Sequence, residues 1–385
     1  MRARSVPSVA VVLLLAVAAL GACATSLSSD APSTVVVEVI LTDLRNPRGV
    51  ALDAGGGVMV AEAGLGDDAA DVTRRTGRLT RFIDRNGDGD FDDQGEIEPW
   101  FEHLASYNAM NVYATGRDEV SGPSDVAVHG DGRVFLSVDG GFDEFALLEI
   151  SPGGSMGRNL SGRSNMTGIA VAPDGGSIFV TESTLNQLIE ISLANGDRRE
   201  IVVFSSLESG QQAVPAGLAI DPLSGDILVA LFSGVAPTGG GGFVPFVVGD
   251  SKVVRVNPQT GEVVDEIRGL TTAVDVAIDE FGNVFVVEMS SDYADLFERD
   301  TDLEDVGGTP RHGGYVRFSG TVTVYPGDET SPRILAGGLD APTNITLVND
   351  GALYVSTGQG TPGRPIPGPD GPTTIIGEVL RITGF

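Results

Sequence analysis

Residues 123–140, PSDVAVHGDGRVFLSVDG, place two short apolar runs either side of a tight Asp131-Gly132 turn, and five further copies of this pattern run through the chain. The others begin at 47 (PRGVALDAGGGVMVAEAG), 166 (MTGIAVAPDGGSIFVTES), 215 (PAGLAIDPLSGDILVALF), 273 (AVDVAIDEFGNVFVVEMS) and 342 (PTNITLVNDGALYVSTGQ). Each run is rich in Val, Ile, Leu and Phe, is too short for a helix and lacks a 3.6-residue period, so each copy reads as a β-hairpin. Apolar character that is nearly continuous, rather than alternating, marks strands covered on both faces, as inner strands of stacked blades are. One hairpin cannot bury itself, whereas a ring of six can. The sequence therefore predicts an all-β, six-bladed β-propeller.

The remaining strands follow each hairpin. A third strand is legible at 77–83, 145–150, 187–192, 251–256, 314–325 and 377–383, and a fourth at 96–104, 198–204, 262–268 and 332–338, with a weak one for the second blade near 156–161. The sixth copy ends after its third strand, while an unassigned strand, VVVEVIL at 35–41, precedes the first copy. The N-terminal strand is thus expected to close the last blade, which leaves only short protected edges.

Residues 1–22 read as a lipoprotein signal peptide, 23–34 as a lipidated tether and 35–385 as the propeller, with an insertion at 84–96. Arg2 and Arg4 supply the positive start, Val9 to Leu20 the apolar core, and Leu20-Gly21-Ala22-Cys23 resembles a bacterial lipobox with Cys23, the only cysteine, as the lipidated residue. An ordinary signal peptide with a chance cysteine is the alternative. The first reading places the protein on a bacterial cell membrane or outer membrane, lipid-anchored and extracytoplasmic, and no other stretch is long and apolar enough to span a bilayer. The net charge of −29, from 53 acidic and 24 basic residues, argues against nucleic acid and anionic lipid surfaces as partners. A small-molecule or protein ligand stays open, and a monomer is assumed.

The sharpest local motif is DRNGDGDFDDQGE at 84–96. Asp84, Asn86 and Asp88 stand at the first, third and fifth positions, Gly89 at the sixth, Phe91 at the eighth and Asp92 at the ninth, the pattern of a calcium loop. Gly95 stands where a bidentate Glu is expected, so Asp90, Asp93 and Glu96 enter the candidate Ca2+ ligand set with Asp84, Asn86, Asp88 and Asp92. Flanking strands rather than helices give the motif a structural role, and a metal-free acidic turn is the alternative. In a propeller, ligands enter at the face where the inner strands begin; this loop falls on the opposite face.

The residues that start the inner strands surround the mouth of the channel: Gly49, Asp125, Gly168, Gly217, Asp275 and Asn344 are equivalent, and Glu62, Asp139, Glu182 and Glu288 end second strands nearby. Glu62, Asp125, Asp275 and Asn344 form a candidate channel cation site of oxygen donors. Asp and Asn that cap their own turns are the alternative. Long inserts on the same face (63–76, 233–250, 289–313 and 358–376) are candidate binding surfaces. The three histidines, His103, His129 and His312, lie in no recognisable Ser-His-Asp setting, and no catalytic residue can be named.

LTDLRNPRGVALDAGGGVMVAEAGLG at 41–66, TGRLTRFID at 76–84 and SGPSDVAV at 121–128 resemble the ScyD/ScyE family of exported bacterial proteins, and the later blades resemble NHL-type repeats. The resemblance implies a propeller outside the cytoplasm and carries no reaction or catalytic residues. NPRGVALD also resembles phrases of soluble quinoprotein sugar dehydrogenases, whose catalytic His and cationic quinone shell have no counterpart set here. Glu62, Asp125, Asp275 and Asn344 resemble in kind the Glu, Asn and Asp that hold calcium in gluconolactonase- and paraoxonase-type lactonases, in different sequence contexts. The leading expectation is a calcium-stabilised, surface-anchored propeller that binds a ligand or partner on its insert-bearing face. The alternative is a metal-dependent lactonase or esterase.

Overall fold

The computed structural model describes residues 34–385 apart from 68, 89, 92, 109–118, 141–144, 161–164, 235, 238–242, 245–246, 294–310, 313, 329–330 and 364. Cys23, and Asp92 of the acidic loop, lie outside the described residues. Within them, twenty-four strands form six four-stranded antiparallel sheets, the six blades of a propeller. Blade 1 takes Pro47–Leu52, Val58–Glu62, Gly77–Phe82 and Ile97–Leu104 in that order from channel to rim, and blades 2 to 5 repeat the scheme. Blade 6 runs Asn344–Leu347, Leu353–Thr357, Gly377–Thr383 and then Val36–Leu44, so the chain's first strand is its outer one. That strand pairs from Val36 opposite Thr383 to Leu44 opposite Gly377, the closure that the unassigned N-terminal run implied.

Stability resides between blades. Every residue of the second strands Val58–Glu62, Val134–Asp139, Ser177–Glu182 and Ile227–Leu231 is buried, which explains the continuous apolar runs. Met59, Ala61 and Leu79 of blade 1 share one core with Leu136, Val138 and Leu148 of blade 2; Phe179 and Leu188 of blade 3 share another with Ile227, Val229 and Val254 of blade 4. Burying each such Leu, Ile, Val, Phe or Met side chain stabilises by about 1.5–3 kcal/mol relative to leaving it exposed, so a blade is stable only beside its neighbours. The weak fourth strand of blade 2 exists as Met156–Asn159, held to its neighbour at Leu148–Asn159 and Ile150–Met156.

One expected strand is broken. The run at 314–325 divides into Gly320–Tyr325, which stays in blade 5, and Tyr315–Val316, which pairs with Arg311–His312 in a separate hairpin. Phe318 at φ 56° breaks the extended backbone between them. Arg317, 3 % exposed, turns away to Asp340 at 2.5 Å and to the Pro367 carbonyl at 3.0 Å and Thr373 hydroxyl at 2.8 Å, tying the blade 5 insert to the blade 6 insert. Among the described residues no helix is long and apolar enough to cross a membrane.

Candidate functional site in the central channel

Inner strands start on the upper face, and three of their first residues meet across the channel. Asp125 of blade 2 accepts hydrogen bonds from its own neighbour, the Val126 N–H at 2.8 Å, and from the Ile169 N–H of blade 3 at 2.8 Å. Asp275 of blade 5 does the same with Val276 at 2.8 Å and with Ile345 of blade 6 at 2.9 Å. Asn344 of blade 6 accepts from the Val50 N–H of blade 1 at 3.0 Å. Its Nδ2 donates to Asp275 Oδ2 at 2.6 Å and reaches Asp125 Oδ1 at 3.5 Å. The three side chains staple inner strands of neighbouring blades, and Asn344 joins the two carboxylates. Glycine at two equivalent positions makes the room: a Cβ on Gly217 would fall 1.7 Å from Asp275 Oδ1, and one on Gly49 would fall 2.5 Å from Asp125 Oδ1.

The electrostatics of the trio are unfavourable for two anions. Burial raises Asp125 to about 7, against the Ile169 and Val126 N–H groups that pull it down. Burial, and then the charge of Asp125, hold Asp275 well above the ordinary carboxylate range. Asp275 is 4 % exposed, whereas Asp125 keeps part of its surface open to the channel. Two carboxylates in one poorly solvated channel either keep a proton or take up a cation. The two carboxylates suit a hard divalent ion, and Asn344, whose amide nitrogen faces them while its oxygen faces Val50, would join as an oxygen ligand by turning its amide. Among the described residues no cluster of three or more His, Cys, Asp or Glu is placed to hold a metal. The channel holds a cavity of about 280 Å³ whose lining joins the polar trio and Thr346 with inner-strand residues including Val50, Ile169, Leu218, Ile278 and Leu347.

Glu62 is not brought to this group. Fully buried, it takes Arg78 in a two-pronged pair at 2.7 and 2.9 Å, the Thr80 hydroxyl at 2.5 Å and the Arg45 N–H at 2.8 Å. Glu182 and Glu288, which end second strands of blades 3 and 5, are likewise engaged locally, whereas Asp139 of blade 2 takes partners from outside its sheet. Glu182 binds Arg198 at 2.6 Å, and Glu288 accepts from the Thr271 N–H at 2.7 Å.

The acidic loop 84–96 joins the third and outer strands of blade 1 on the lower face. Asp84 Oδ1 accepts from the Gly87 N–H at 2.6 Å, Asn86 Oδ1 from the Asp88 N–H at 2.9 Å and Asp88 Oδ1 from the Asp90 N–H at 3.3 Å, while Asn86 Nδ2 spans Asp88 and Asp93 at 2.8 and 2.5 Å. Glu96, 1 % exposed, receives the N–H groups of Arg85 at 2.8 Å and Asp93 at 3.2 Å. Phe91 anchors the loop edge-on against Phe82, 6.4 Å between ring centres.

Residues 92–282 match the family described as SMP-30/Gluconolactonase/LRE-like region. No curated protein matches the sequence. Among solved structures, the Trichoderma reesei protein of Carbohydrate-Active Enzymes Family AA12 is 12 % identical, with 94 % of this chain and 100 % of that chain covered and a TM-score of 0.55. The pyranose dehydrogenase PQQ domain from Coprinopsis cinerea is 13 % identical over 91 % of this chain and 95 % of that chain, TM-score 0.52. A putative oxidoreductase (glucose dehydrogenase) from Thermus thermophilus is 18 % identical over 91 % and 100 %, TM-score 0.51. At such identities these likenesses speak for the fold alone.

Proposed function

We propose that this propeller is a hydrolase of lactones or esters that uses a divalent cation held in the central channel by Asp125, Asp275 and Asn344. One observation carries the reading: two carboxylates are stapled side by side in the channel, joined by one amide, and burial, with their mutual charge at Asp275, holds them above the ordinary carboxylate range. The family match over 92–282 supports it. A cation bound there would act as a Lewis acid on a carbonyl. The chain's own part is to fix the donors on rigid inner strands. Calcium in the loop 84–96 is a second, structural site in this proposal, clamping blade 1 from the lower face.

The test is calcium titration by calorimetry together with hydrolysis of a lactone panel, on the wild type, on Asp125→Asn with Asp275→Asn, and on Asp84→Ala with Asp88→Ala. The channel pair is expected to lose one calcium site and at least about a hundredfold in hydrolysis, the scale of removing one strong electrostatic stabiliser, while the loop pair loses the other site and keeps its turnover. Hydrolysis indifferent to chelator and to the channel pair would sink the proposal. Silence towards every lactone would favour a ligand- or partner-binding propeller, a reading supported by the upper-face platform that Arg317 ties together. A lipid anchor at Cys23 and a site outside the cytoplasm complete the proposal. Metabolic labelling with palmitate should mark the wild type and not Cys23→Ser, and an unlabelled wild type would remove the anchor.

A further inference from the structure

Unmet polar chemistry on the upper face gathers around Asp139, away from the channel trio. Arg48 precedes Gly49 on the inner strand of blade 1, and its side chain reaches the short hairpin strand Val120–Ser121 that leads into blade 2. Nη2 donates to the Val120 carbonyl at 2.6 Å, while Nε is buried and has no hydrogen-bond partner among the described residues. Asp139 ends the second strand of blade 2 and accepts from the Tyr107 hydroxyl, at 3.3 and 3.2 Å to its two oxygens, and from Asn165 Nδ2 at 2.9 Å. This last bond sets the amide orientation, because a flipped Asn165 would turn its oxygen onto a carboxylate. Asn165 Oδ1 therefore points elsewhere, and it too is buried without a partner among the described residues. Burial lowers the pKa of Arg48, while Glu119, Asp139, Tyr107 and Tyr315 lie near enough to oppose that through their charge. Asn165 stands immediately before the inner strand of blade 3, so groups from three successive blades contribute.

We infer that Arg48, Asp139 and Asn165 form a binding subsite for a neutral, hydroxyl-rich ligand such as a polyol or sugar ring, in which hydroxyl groups accept from Arg48 Nε and donate to Asn165 Oδ1. Asn165 is bonded to Asp139 and Arg48 lies within reach of its charge, so an orphaned donor and an orphaned acceptor share the neighbourhood of one carboxylate, and a hydroxyl is the small group that answers either. A carboxylate or phosphate would satisfy Arg48 but would face Asp139 and Glu119 and bring no proton for Asn165. An ammonium group would satisfy Asn165 and be repelled by Arg48. The subsite goes beyond the hydrolase reading and does not depend on a channel cation.

The experiment is saturation-transfer NMR on the purified whole protein with 1,5-anhydro-D-glucitol as the probe and D-gluconate as the anionic comparator. The neutral probe is expected to receive saturation and to bind more tightly than gluconate. Arg48→Lys keeps the charge and removes Nε; Asn165→Ala removes the acceptor and leaves Arg48 intact. Each should weaken the probe about tenfold, the scale of one lost hydrogen bond, with cooperative melting retained. Should Arg48→Lys fail to fold, Asn165→Ala gives the same readout. Asp125→Asn with Asp275→Asn should bind the probe as the wild type does even if hydrolysis is lost, which separates this subsite from the channel reading. No saturation transfer to the probe would mean that water alone fills the subsite and would overturn the inference. Unchanged affinity in a folded variant, or tighter binding of gluconate, would overturn it as well.

Discussion

A chain that begins at residue 45 should melt far below one that begins at residue 34 and should associate through its newly bared edge. The segment removed, Val36–Leu44, is the outer strand of blade 6. Its Leu41 and Leu44 are buried in one core with Val50, Val58, Val60, Phe82 and Val379, at the seam where the last blade meets the first. Loss of two buried leucines at about 2–5 kcal/mol each is comparable with the whole stability of a typical domain, about 5–15 kcal/mol. The Gly377–Thr383 strand would lose its partner and present an unpaired row of backbone groups for intermolecular pairing. Thermal melts and sedimentation of the two chains decide the matter. Equal melting temperatures would mean that the ring holds without its N-terminal strand.

The architecture was legible because each blade repeats one demand, a buried second strand beside an inner strand, and six repeats make that demand visible against noise. Even the closing strand could be found by subtraction, since the sixth copy lacked a fourth run. Contacts between distant parts of the ring were less legible. Asn344 could be aligned with Asp125, but that it touches it across 219 residues depends on closure. By position Glu62 belongs with the trio, since it ends a second strand near the mouth, yet cross-strand pairing puts it opposite Arg78, which claims the carboxylate. The break at Phe318 follows from partners of Arg317 in the next blade, which no local pattern in 314–325 announces. Arg48 carries a signal in the sequence itself. Other copies place Ser124, Thr167, Ala216, Val274 and Thr343 at its position, so a single charged residue there stands out.

The carboxylate pair predicts a pH dependence whose sign is unusual for acids. A salt-bridged Asp has a depressed pKa and destabilises a fold when protonated; Asp125 and Asp275 are raised instead. An unfolded Asp titrates at about 3.9. Between about pH 4 and about 7, native Asp125 keeps a proton that the unfolded chain has released, so stability without cation falls as pH rises and levels off above about 7, with Asp275 extending the fall upwards. For Asp125 the loss is at most roughly 4 kcal/mol, an upper figure because part of its surface opens to the channel. Asp125→Asn with Asp275→Asn should flatten this slope. Each Asn gives up one acceptor, a cost of about 1 kcal/mol that does not vary with pH, so the slope rather than the absolute stability is the readout. The many surface carboxylates titrate alike in both proteins and cancel in the difference. Calcium should invert the trend in the wild type alone, since a bound cation favours the ionised pair and releases its proton, and the stabilisation should then grow from pH 5 to pH 8. Melts at four pH values, in chelator and in calcium, test both halves. A wild type as stable in chelator at pH 8 as at pH 5, relative to the variant, would show that the pair ionises without strain. If calcium shifted variant and wild type equally, Asp125, Asp275 and Asn344 would be inter-blade staples and the reaction would have to be sought elsewhere on the upper face.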